Sequence, residues 1–313
     1  MSNVTADLLA VGKDDAVAVE DGTAHLTYAA LRAQVASVAT RLDGLGVPPG
    51  APVAVIGANS PAWVAAYLGI IDSGRVAVPL AADLAPRQLT DALALTGCAA
   101  AFVDPRPQRA LARTVPELTT VPLVPGQAEA TDGIEPRTVD VSPDDDAVYL
   151  LTSGSTAAPK AVRLTHRNLR ANTRSILAYL PIDASDRMLV VLPFCYTFGA
   201  SLLHTHLAAG ATLVLCRTFA YPETAAELLE SARCTAIAGV PSVFQTLLRT
   251  TSFPRRDLPH LRHVQQAGGK LPARQVTELA AAHPHARLFV MYGQTEATAR
   301  LTYGEIVANR QGE

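Results

Sequence analysis

Lysine is scarce in this chain of 313 residues, in which Lys13, Lys160 and Lys270 are the only three. The basic residues are nearly all arginine, and acidic residues balance them to a formal net charge of −2. A chain so close to neutrality has no electrostatic reason to bind nucleic acid or an anionic membrane. A preference for arginine over lysine is typical of the base composition of a genome and needs no functional cause. It still draws attention to each lysine that remains.

A metal-binding cysteine pattern and a leader sequence are also missing. The four cysteines have no CxxC spacing, so the sequence indicates neither a zinc site nor a disulfide framework. Asp7, Asp14 and Asp15 interrupt the N-terminus, where a secretory signal has a basic stretch followed by an apolar one. These features predict a reducing, cytoplasmic location.

Charge is absent from the stretch between Arg187 and Arg217, which is long enough to suggest a membrane span. Pro193, Gly199 and Gly210 interrupt this stretch and argue against a continuous spanning helix. We therefore predict no membrane span but a buried α/β layer, with a strand at 188–192, a helix at 200–208 and a strand at 211–216.

Short apolar segments alternate with amphipathic helical segments along the chain. Thr27 is a capping residue for a helix to about Leu45, and Ser60 with Pro61 begins a helix to about Asp72. This alternation predicts an α/β fold with mainly parallel sheets and helices on both faces. Further strands are predicted at 53–56, 76–78, 99–103, 147–151, 235–238, 263–266 and 287–291, further helices at 222–232 and 272–282, and a meandering connection or small edge element over 104–146.

The loops that follow the strands are the places to search for a ligand site. In open parallel sheets, ligands bind beyond the carboxyl ends of the strands. The candidate loops follow Leu151, Leu192, Ala238, Gln266 and Met291.

The loop after the strand 147–151 concentrates polar groups: Thr152, Ser153, Gly154, Ser155, Thr156 and Lys160. Hydroxyls and backbone N–H groups can hold phosphate oxygens, and a lysine adds positive charge. Composition alone favours a polar surface turn. A P-loop is excluded because Pro159 stands where that motif needs a glycine.

The longer segment 150–169 favours a phosphate-binding loop over a polar surface turn. It contains LLTSGSTAAPK and then LTHRNL, and it closely resembles the phosphate-binding signature of the adenylate-forming superfamily. This superfamily contains acyl- and aryl-CoA synthetases, luciferase and the adenylation domains of nonribosomal peptide synthetases. Ala157 and Ala161 stand where the family usually has glycine, and each loses glycine's freedom to adopt positive φ. We expect these alanines to stiffen the loop, and glycine at both positions to speed adenylation.

A second motif, YGQTE, occupies residues 292–296 after the predicted strand 287–291. Alone it indicates a turn with an exposed glutamate, but in this place it resembles the family's YGxTE motif. The resemblance implies that Tyr292 packs on adenine, Thr295 contacts the α-phosphate and Glu296 holds Mg²⁺. It also assigns Gly293 and Gln294 to the ATP site, and Lys160, Thr295 and Glu296 to catalysis.

A glycine stretch follows the strand 263–266. Ala267, Gly268 and Gly269 resemble the family segment that lines the adenine and acyl pockets, and Val240 lies in a GVPS segment that also resembles a family landmark. The resemblance implies that Gly268 and Gly269 bind ATP, and that Val240, Ala267 and Gly268 line the substrate pocket. A simple strand-exit turn is the alternative for the glycines.

The segment 193–199 resembles the loop that forms part of the carboxylate-substrate pocket. Tyr196, Thr197, Phe198 and Gly199 are the pocket residues that this resemblance implies, with ordinary packing around a turn as the alternative. Amino-acid-activating relatives have an aspartate in this region, but here no acidic residue occurs between Asp186 and Glu223. A buried ammonium without a counter-charge is costly, so the sequence favours an acyl, aryl or hydroxy acid.

The resemblance implies one domain over residues 1–313, the N-terminal core of the adenylate-forming fold, with two stacked, mainly parallel sheets flanked by helices. It implies ATP and Mg²⁺, a small carboxylic acid, and a thiol acceptor on coenzyme A or on the phosphopantetheine of a carrier protein. The expected product is an acyl-adenylate. Family members continue into a mobile C-terminal domain with a bridging lysine, which we do not find before Glu313, so an incomplete enzyme is expected. A non-catalytic nucleotide- or acyl-binding domain is the alternative, as is an amino-acid-activating domain.

Overall fold

The computed structural model describes residues 3–22, 24–123, 139–152 and 160–306. The helices are α1 (Val4–Leu9), α2 (Tyr28–Gly44), α3 (Pro61–Asp72), α4 (Pro86–Thr96), α5 (Pro105–Thr114), α6 (His166–Leu177), α7 (Thr197–Ala208), α8 (Pro222–Ser231), α9 (Pro241–Thr250) and α10 (Ala273–Ala282). The strands are β1 (Val17–Asp21), β2 (Ala24–Thr27), β3 (Pro52–Ile56), β4 (Val76–Leu80), β5 (Ala100–Val103), β6 (Thr119–Pro122), β7 (Asp146–Thr152), β8 (Lys160–Thr165), β9 (Arg187–Val190), β10 (Thr212–Leu215), β11 (Ala236–Gly239), β12 (His263–Gln266), β13 (Arg287–Gln294) and β14 (Ala299–Ile306).

Side-chain caps fix where the first long helices begin. The Thr27 hydroxyl accepts a hydrogen bond from the Ala30 N–H at the start of α2, at 3.2 Å. The Ser60 hydroxyl accepts one from the Trp63 N–H at the start of α3, at 3.1 Å. Each cap satisfies an amide that the first helical turn leaves without a backbone partner. Both predicted helix starts are confirmed.

The strands form two sheets within the described residues. The eight-stranded sheet has the order β14-β13-β12-β11-β9-β10-β1-β2, and the six-stranded sheet has the order β6-β5-β3-β4-β7-β8. Most neighbours are parallel, while β1–β2, β7–β8 and β13–β14 are antiparallel pairs. The predicted fold class, two mainly parallel sheets flanked by helices, is confirmed.

The largest apolar core joins the two sheets through α3 and α7. Every residue of α3 from Trp63 to Asp72 is buried, and so is every residue of α7 from Phe198 to Leu207. A helix that is buried on all sides needs partners on all sides, which a position between two sheets supplies. The Tyr67 hydroxyl of α3 and Nε2 of His204 in α7 lie 2.9 Å apart and join the two helices.

The other face of the six-stranded sheet has a smaller core of its own. Ala54 and Ile56 of β3 pack there with α4 and α5, whereas Val53 and Val55 belong to the larger core. This division follows from the two-residue period of a strand, which sends successive side chains to opposite faces. Both faces of the six-stranded sheet are therefore covered by apolar packing.

The largest differences from the predicted elements are three. The segment 104–146 contains the helix α5 as well as the edge strand β6, α7 begins at Thr197 instead of residue 200, and β13 runs to Gln294 instead of Met291. The uncharged stretch forms β9, α7 and β10, as the sequence predicted. No helix in the described ranges is long and apolar enough to cross a membrane.

Candidate active site

The two ends of the predicted phosphate loop lie side by side. Thr152, the last residue of β7, is the cross-strand partner of Lys160, the first residue of β8. Lys160 is exposed and Thr152 is half-buried, so both can reach a ligand at the end of the sheet. The other predicted phosphate-binding residues lie outside the described residues: Ser153, Gly154, Ser155 and Thr156. Ala157 lies outside them as well.

Ala161 lies in a strand, where positive φ is not needed. It pairs with Leu151 in the antiparallel ladder of β7 and β8. Among the described non-glycine residues, positive φ occurs at Arg233 and Thr298 and not at Ala161. The expectation that alanine restricts this position is therefore wrong, because an extended strand residue does not need glycine's freedom.

Ala161→Gly is accordingly expected to lower the stability of the protein by about 0.5–1 kcal/mol without speeding adenylation, because glycine adds entropy to the unfolded chain and weakens a strand. Urea unfolding gives the stability, and pyrophosphate exchange gives the rate. Ala161→Val is the matched control, since a β-branched residue fits an extended, half-buried position. A glycine variant that is faster, with a valine variant that fails to fold, would contradict the assigned backbone.

The YGQTE motif forms the end of one strand and a tight turn. Tyr292, Gly293 and Gln294 belong to β13, and a 3₁₀ turn over Thr295–Ala297 leads into β14. Gly293 faces the neighbouring strand so closely that a Cβ atom would lie 1.7 Å from the Ala299 carbonyl oxygen. The glycine of the motif is therefore required by the approach of the two strands.

The functional side chains of the motif point outward. Tyr292 is 60% exposed, which leaves its ring available for stacking on a flat ligand. Glu296 is exposed, and no basic side chain in the described ranges pairs with it. Thr298, just after the turn, has φ 72°, a conformation that is unusual for a β-branched residue and typical of strained positions near functional sites.

The two motif segments lie next to each other, although about 140 residues separate them in the sequence. Cα atoms of β8, which begins at Lys160, lie within 8 Å of those of the 3₁₀ turn over Thr295–Ala297. The Asn172 side chain of α6 also donates a hydrogen bond to the Arg300 carbonyl oxygen of β14, at 3.2 Å. The strand that begins at Lys160 and the turn that contains Glu296 thus meet at the β8 edge of the six-stranded sheet.

Magnesium fits the residues present at this edge. No group of three or more His, Cys, Asp or Glu side chains that could hold a metal occurs in the part of the chain described here. Mg²⁺ does not need such a cage, because it is usually bound by one or two carboxylates together with substrate phosphates. Glu296 supplies one exposed carboxylate on the turn that contacts β8.

The loops after β11 and β12, which contain residues predicted to line the substrate pocket, pack against each other. A Cβ atom at Gly268 would lie 2.7 Å from Cγ1 of Val240, and one at Gly269 would lie 3.2 Å from the Pro241 ring. Gly268 also has φ 78°, which favours glycine. Ala267 is buried beside them, so the structure brings Val240, Ala267 and Gly268 together.

The segment 192–199 is held by the side chain of Asn59, which directly precedes the capping residue Ser60. The Asn59 amide donates to the Leu192 carbonyl oxygen and accepts from the Phe194 N–H, both at 2.9 Å. A Cβ atom at Gly199 would lie 2.1 Å from the Pro193 carbonyl oxygen, so the chain closes tightly here. No sequence signal identifies Asn59, because its partners lie more than 130 positions away.

Of the predicted pocket residues in this segment, Tyr196 is 56% exposed and Phe198 is buried. Thr197 has a buried hydroxyl with no hydrogen-bond partner among the described residues. Phe198 packs against Arg300, whose Cζ atom lies 5.0 Å from the centroid of the Phe198 ring. Arg300 follows the YGQTE motif by four positions, and no pattern in the sequence marks it.

Comparisons with known proteins agree with this geometry. The family described as "AMP-binding enzyme" matches residues 9–312. A feruloyl-CoA synthase from Amycolatopsis sp. is 34% identical over 287 residues, which cover 90% of this chain and 57% of that protein. The chain thus spans little more than half the length of this relative.

Solved structures show the same fold. ATP-bound MatB from Rhodopseudomonas palustris aligns with a TM-score of 0.86 and 27% identity over 99% of this chain and 62% of that one. VinN in complex with L-aspartate aligns with a TM-score of 0.85 and 30% identity over 96% of this chain and 78% of that one. Matching motifs, matching fold and a family match over nearly all residues lead to one conclusion: the chain belongs to the AMP-binding enzyme family.

Proposed function

We propose that the protein uses ATP to convert a carboxylic acid into an acyl-adenylate, and that the acyl group is then transferred to a thiol. The observation that carries this proposal is the meeting of β8 with the Thr295–Ala297 turn. The strand β8 begins at Lys160 and the turn contains the exposed Glu296, so the contact joins the two elements that contain the predicted lysine and carboxylate. The relationship to a feruloyl-CoA synthase supports an acid–thiol ligase.

In the proposed first step, a carboxylate oxygen of the acid attacks the α-phosphorus of ATP. The bond from the α-phosphorus to the bridging oxygen breaks, and pyrophosphate leaves. Lys160 and the hydroxyls from Thr152 onward would stabilise the phosphate charge, and the Thr295 hydroxyl would donate to an α-phosphate oxygen. Glu296 would hold Mg²⁺, which neutralises charge on the departing pyrophosphate, and Tyr292 would stack on adenine.

In the proposed second step, a thiolate attacks the acyl carbon and AMP leaves. Coenzyme A is the acceptor that the name of the feruloyl-CoA synthase suggests. A carrier-protein phosphopantetheine is the second candidate, because the chain is also 32% identical, over 292 residues, to a linear gramicidin synthase from Brevibacillus parabrevis. Both acceptors present the same thiol chemistry.

The substrate class follows from charge. No acidic residue occurs between Asp186 and Glu223, the region that contains Tyr196, Phe198 and the rest of α7. An α-ammonium group placed there would be buried without a counter-charge. We therefore favour an acyl, aryl or hydroxy acid. The amino-acid alternative stays open because VinN was solved with L-aspartate.

Pyrophosphate exchange with a panel of acids tests both the reaction and the substrate class. In the full-length enzyme, we expect exchange above background with at least one acyl or aryl acid and with none of the proteinogenic α-amino acids. Calorimetry with ATP and Mg²⁺, run in parallel, separates an inactive protein from one that does not bind nucleotide. Strong exchange with an amino acid would overturn the substrate class, and absence of ATP binding would overturn the proposed function.

A further inference from the structure

Arg300 is a buried cation without an acidic partner. Two arginines, Arg75 and Arg300, are buried in the described part of the chain, at 3% and 6% exposure. Arg75 pairs with Asp43 at 2.7 Å, whereas no aspartate or glutamate in the described ranges pairs with Arg300. A buried charge usually has a counter-charge, so Arg300 needs an explanation.

Neutral acceptors occupy most of the Arg300 guanidinium. Its Nε and Nη2 donate to the Ser201 hydroxyl at 3.2 and 3.1 Å. Its Nη1 donates to Oε1 of Gln265 at 3.0 Å and to Sδ of Met291 at 3.7 Å. One face lies over the Phe198 ring, with Cζ 5.0 Å from the centroid. These contacts fix the direction of the guanidinium, and none of them neutralises its charge.

Burial acts against this charge without removing it. Desolvation lowers the pKa of Arg300 from its ordinary value, while the neighbouring Tyr179 hydroxyl opposes the shift. Arginine ordinarily titrates far above neutral pH, so the side chain is a cation in the folded protein. The protein keeps a positive charge beside Phe198, in the wall predicted to contact the acid.

Two further polar groups near this wall lack partners, and both can donate hydrogen bonds. Nε2 of Gln265 is buried without an acceptor, because Arg300 holds the Oε1 atom of the same amide. The Thr197 hydroxyl is also buried without a partner, one helical turn before Ser201 on the same face of α7. Unused donors beside an unneutralised cation are complementary to an anion.

We propose that Arg300, together with Gln265 and Thr197, binds a second carboxylate at the far end of the substrate, so that the protein activates a dicarboxylic acid. This inference rests on the proposed function, because it names the substrate class of the same site. The reacting carboxylate has to meet the nucleotide near Glu296, which is exposed. Arg300 is buried, so the group that it binds lies deeper and is the unreactive end.

A second carboxylate explains the charge better than a neutral group does. A hydroxyl or a phenol would satisfy the free donors and leave the positive charge without compensation. An α-ammonium would add a second buried positive charge. A carboxylate compensates the charge of Arg300, and its two oxygens can accept hydrogen bonds from the free Gln265 amide and Thr197 hydroxyl.

The test compares acids of equal length that differ only at the far end. Binding of succinate and glutarate is measured against butyrate and pentanoate by calorimetry on the protein with ATP and Mg²⁺, and pyrophosphate exchange follows the same pairs. We expect at least one diacid to bind about 10–100-fold more tightly than its monoacid partner, the effect of one charged hydrogen-bonding contact. Equal affinity within every pair, or a preference for the monoacids, overturns the inference.

Variants of Arg300 test whether this residue causes the preference for the diacid. Arg300→Met removes the charge and keeps much of the bulk, so the preference for the diacid is expected to vanish while ATP binding persists. Arg300→Lys keeps the charge and is expected to retain part of the preference. Arg87→Met, at a 94% exposed position on α4, is the control and should change nothing. If Arg300→Met retains the preference, another residue binds the second carboxylate and the inference is wrong.

The outcomes also separate this inference from the proposed function. ATP binding and exchange with monoacids, without a preference for diacids, would leave the proposed function intact and reject only the role of Arg300. Failure to bind ATP at all would reject both. Should Arg300→Met not fold, the comparison of acids on the unmodified protein and the Arg300→Lys variant still decide the question.

Discussion

Replacing Gly293 with alanine is expected to destabilise the protein by about 3 kcal/mol or more, at the upper end of the cost of forcing extra atoms into a packed region. The added Cβ would lie 1.7 Å from the Ala299 carbonyl oxygen and 2.9 Å from Cα of Arg300. Both atoms belong to the backbone of β14, so no side-chain rotation relieves the clash. The two strands must separate, and Tyr292, Thr295 and Glu296 move with them.

Loss of ATP binding is the second expected consequence of Gly293→Ala. Urea unfolding and calorimetry with ATP and Mg²⁺ measure the two effects. Gly304→Ala is the matched control, because Gly304 lies in the same strand pair, opposite Val290, and a Cβ there would meet no atom within 4 Å. We expect that variant to stay within about 0.5 kcal/mol of the wild type. Similar stability of the two variants would contradict the described approach of β13 and β14.

Local signals in the sequence predict the order of helices and strands well. The caps at Thr27 and Ser60, and the apolar runs bounded by Gly and Pro, identified helix starts and strands because they act over a few residues. The 3₁₀ turn and the strand β14, by contrast, follow the YGQTE motif with little apolar patterning. The end of β13 was therefore placed too early.

Proline and glycine misled the prediction where they serve a different purpose. Pro105 and Pro107 lie in the first turn of α5, where backbone N–H groups have no helical partner and proline is tolerated. Gly199 was interpreted as part of a turn, yet it lies inside α7, where the close approach of the Pro193 carbonyl oxygen leaves no space for a Cβ. The prolines at the start of α5 are a local signal, whereas the glycine in α7 depends on packing that a linear pattern does not contain.

The candidate site could be predicted only in part, for the same reason. Exposed residues within motifs, such as Lys160, Tyr292 and Glu296, were identified through their resemblance to a family pattern. Arg300 and Asn59 were not, because their roles depend on partners about 100 and more than 130 positions away. A buried arginine looks like a surface arginine until its surroundings are known.

Replacing Glu296 with glutamine is expected to abolish most of the magnesium-dependent part of ATP binding while leaving the fold unchanged. The side chain is exposed and pairs with no basic residue in the described ranges, so its loss should cost no more than about 0.5 kcal/mol of stability. Glutamine keeps the shape but removes the charge that a hard cation prefers. We expect the affinity for ATP in the presence of Mg²⁺ to fall about 100-fold, the upper end of the effect of residues that only support a metal ligand.

Calorimetry with ATP, with and without Mg²⁺, distinguishes this metal role from a direct contact to the nucleotide. A metal ligand loses the difference between the two conditions, whereas a residue that contacts ATP directly weakens binding in both. Glu278→Gln on α10 is the matched control, because Glu278 is also exposed and lies outside the predicted site. If Glu296→Gln keeps the magnesium dependence of the wild type, the carboxylate does not hold the metal. The proposed division of work between Lys160 and Glu296 would then have to be abandoned, and the magnesium ligand sought on another element.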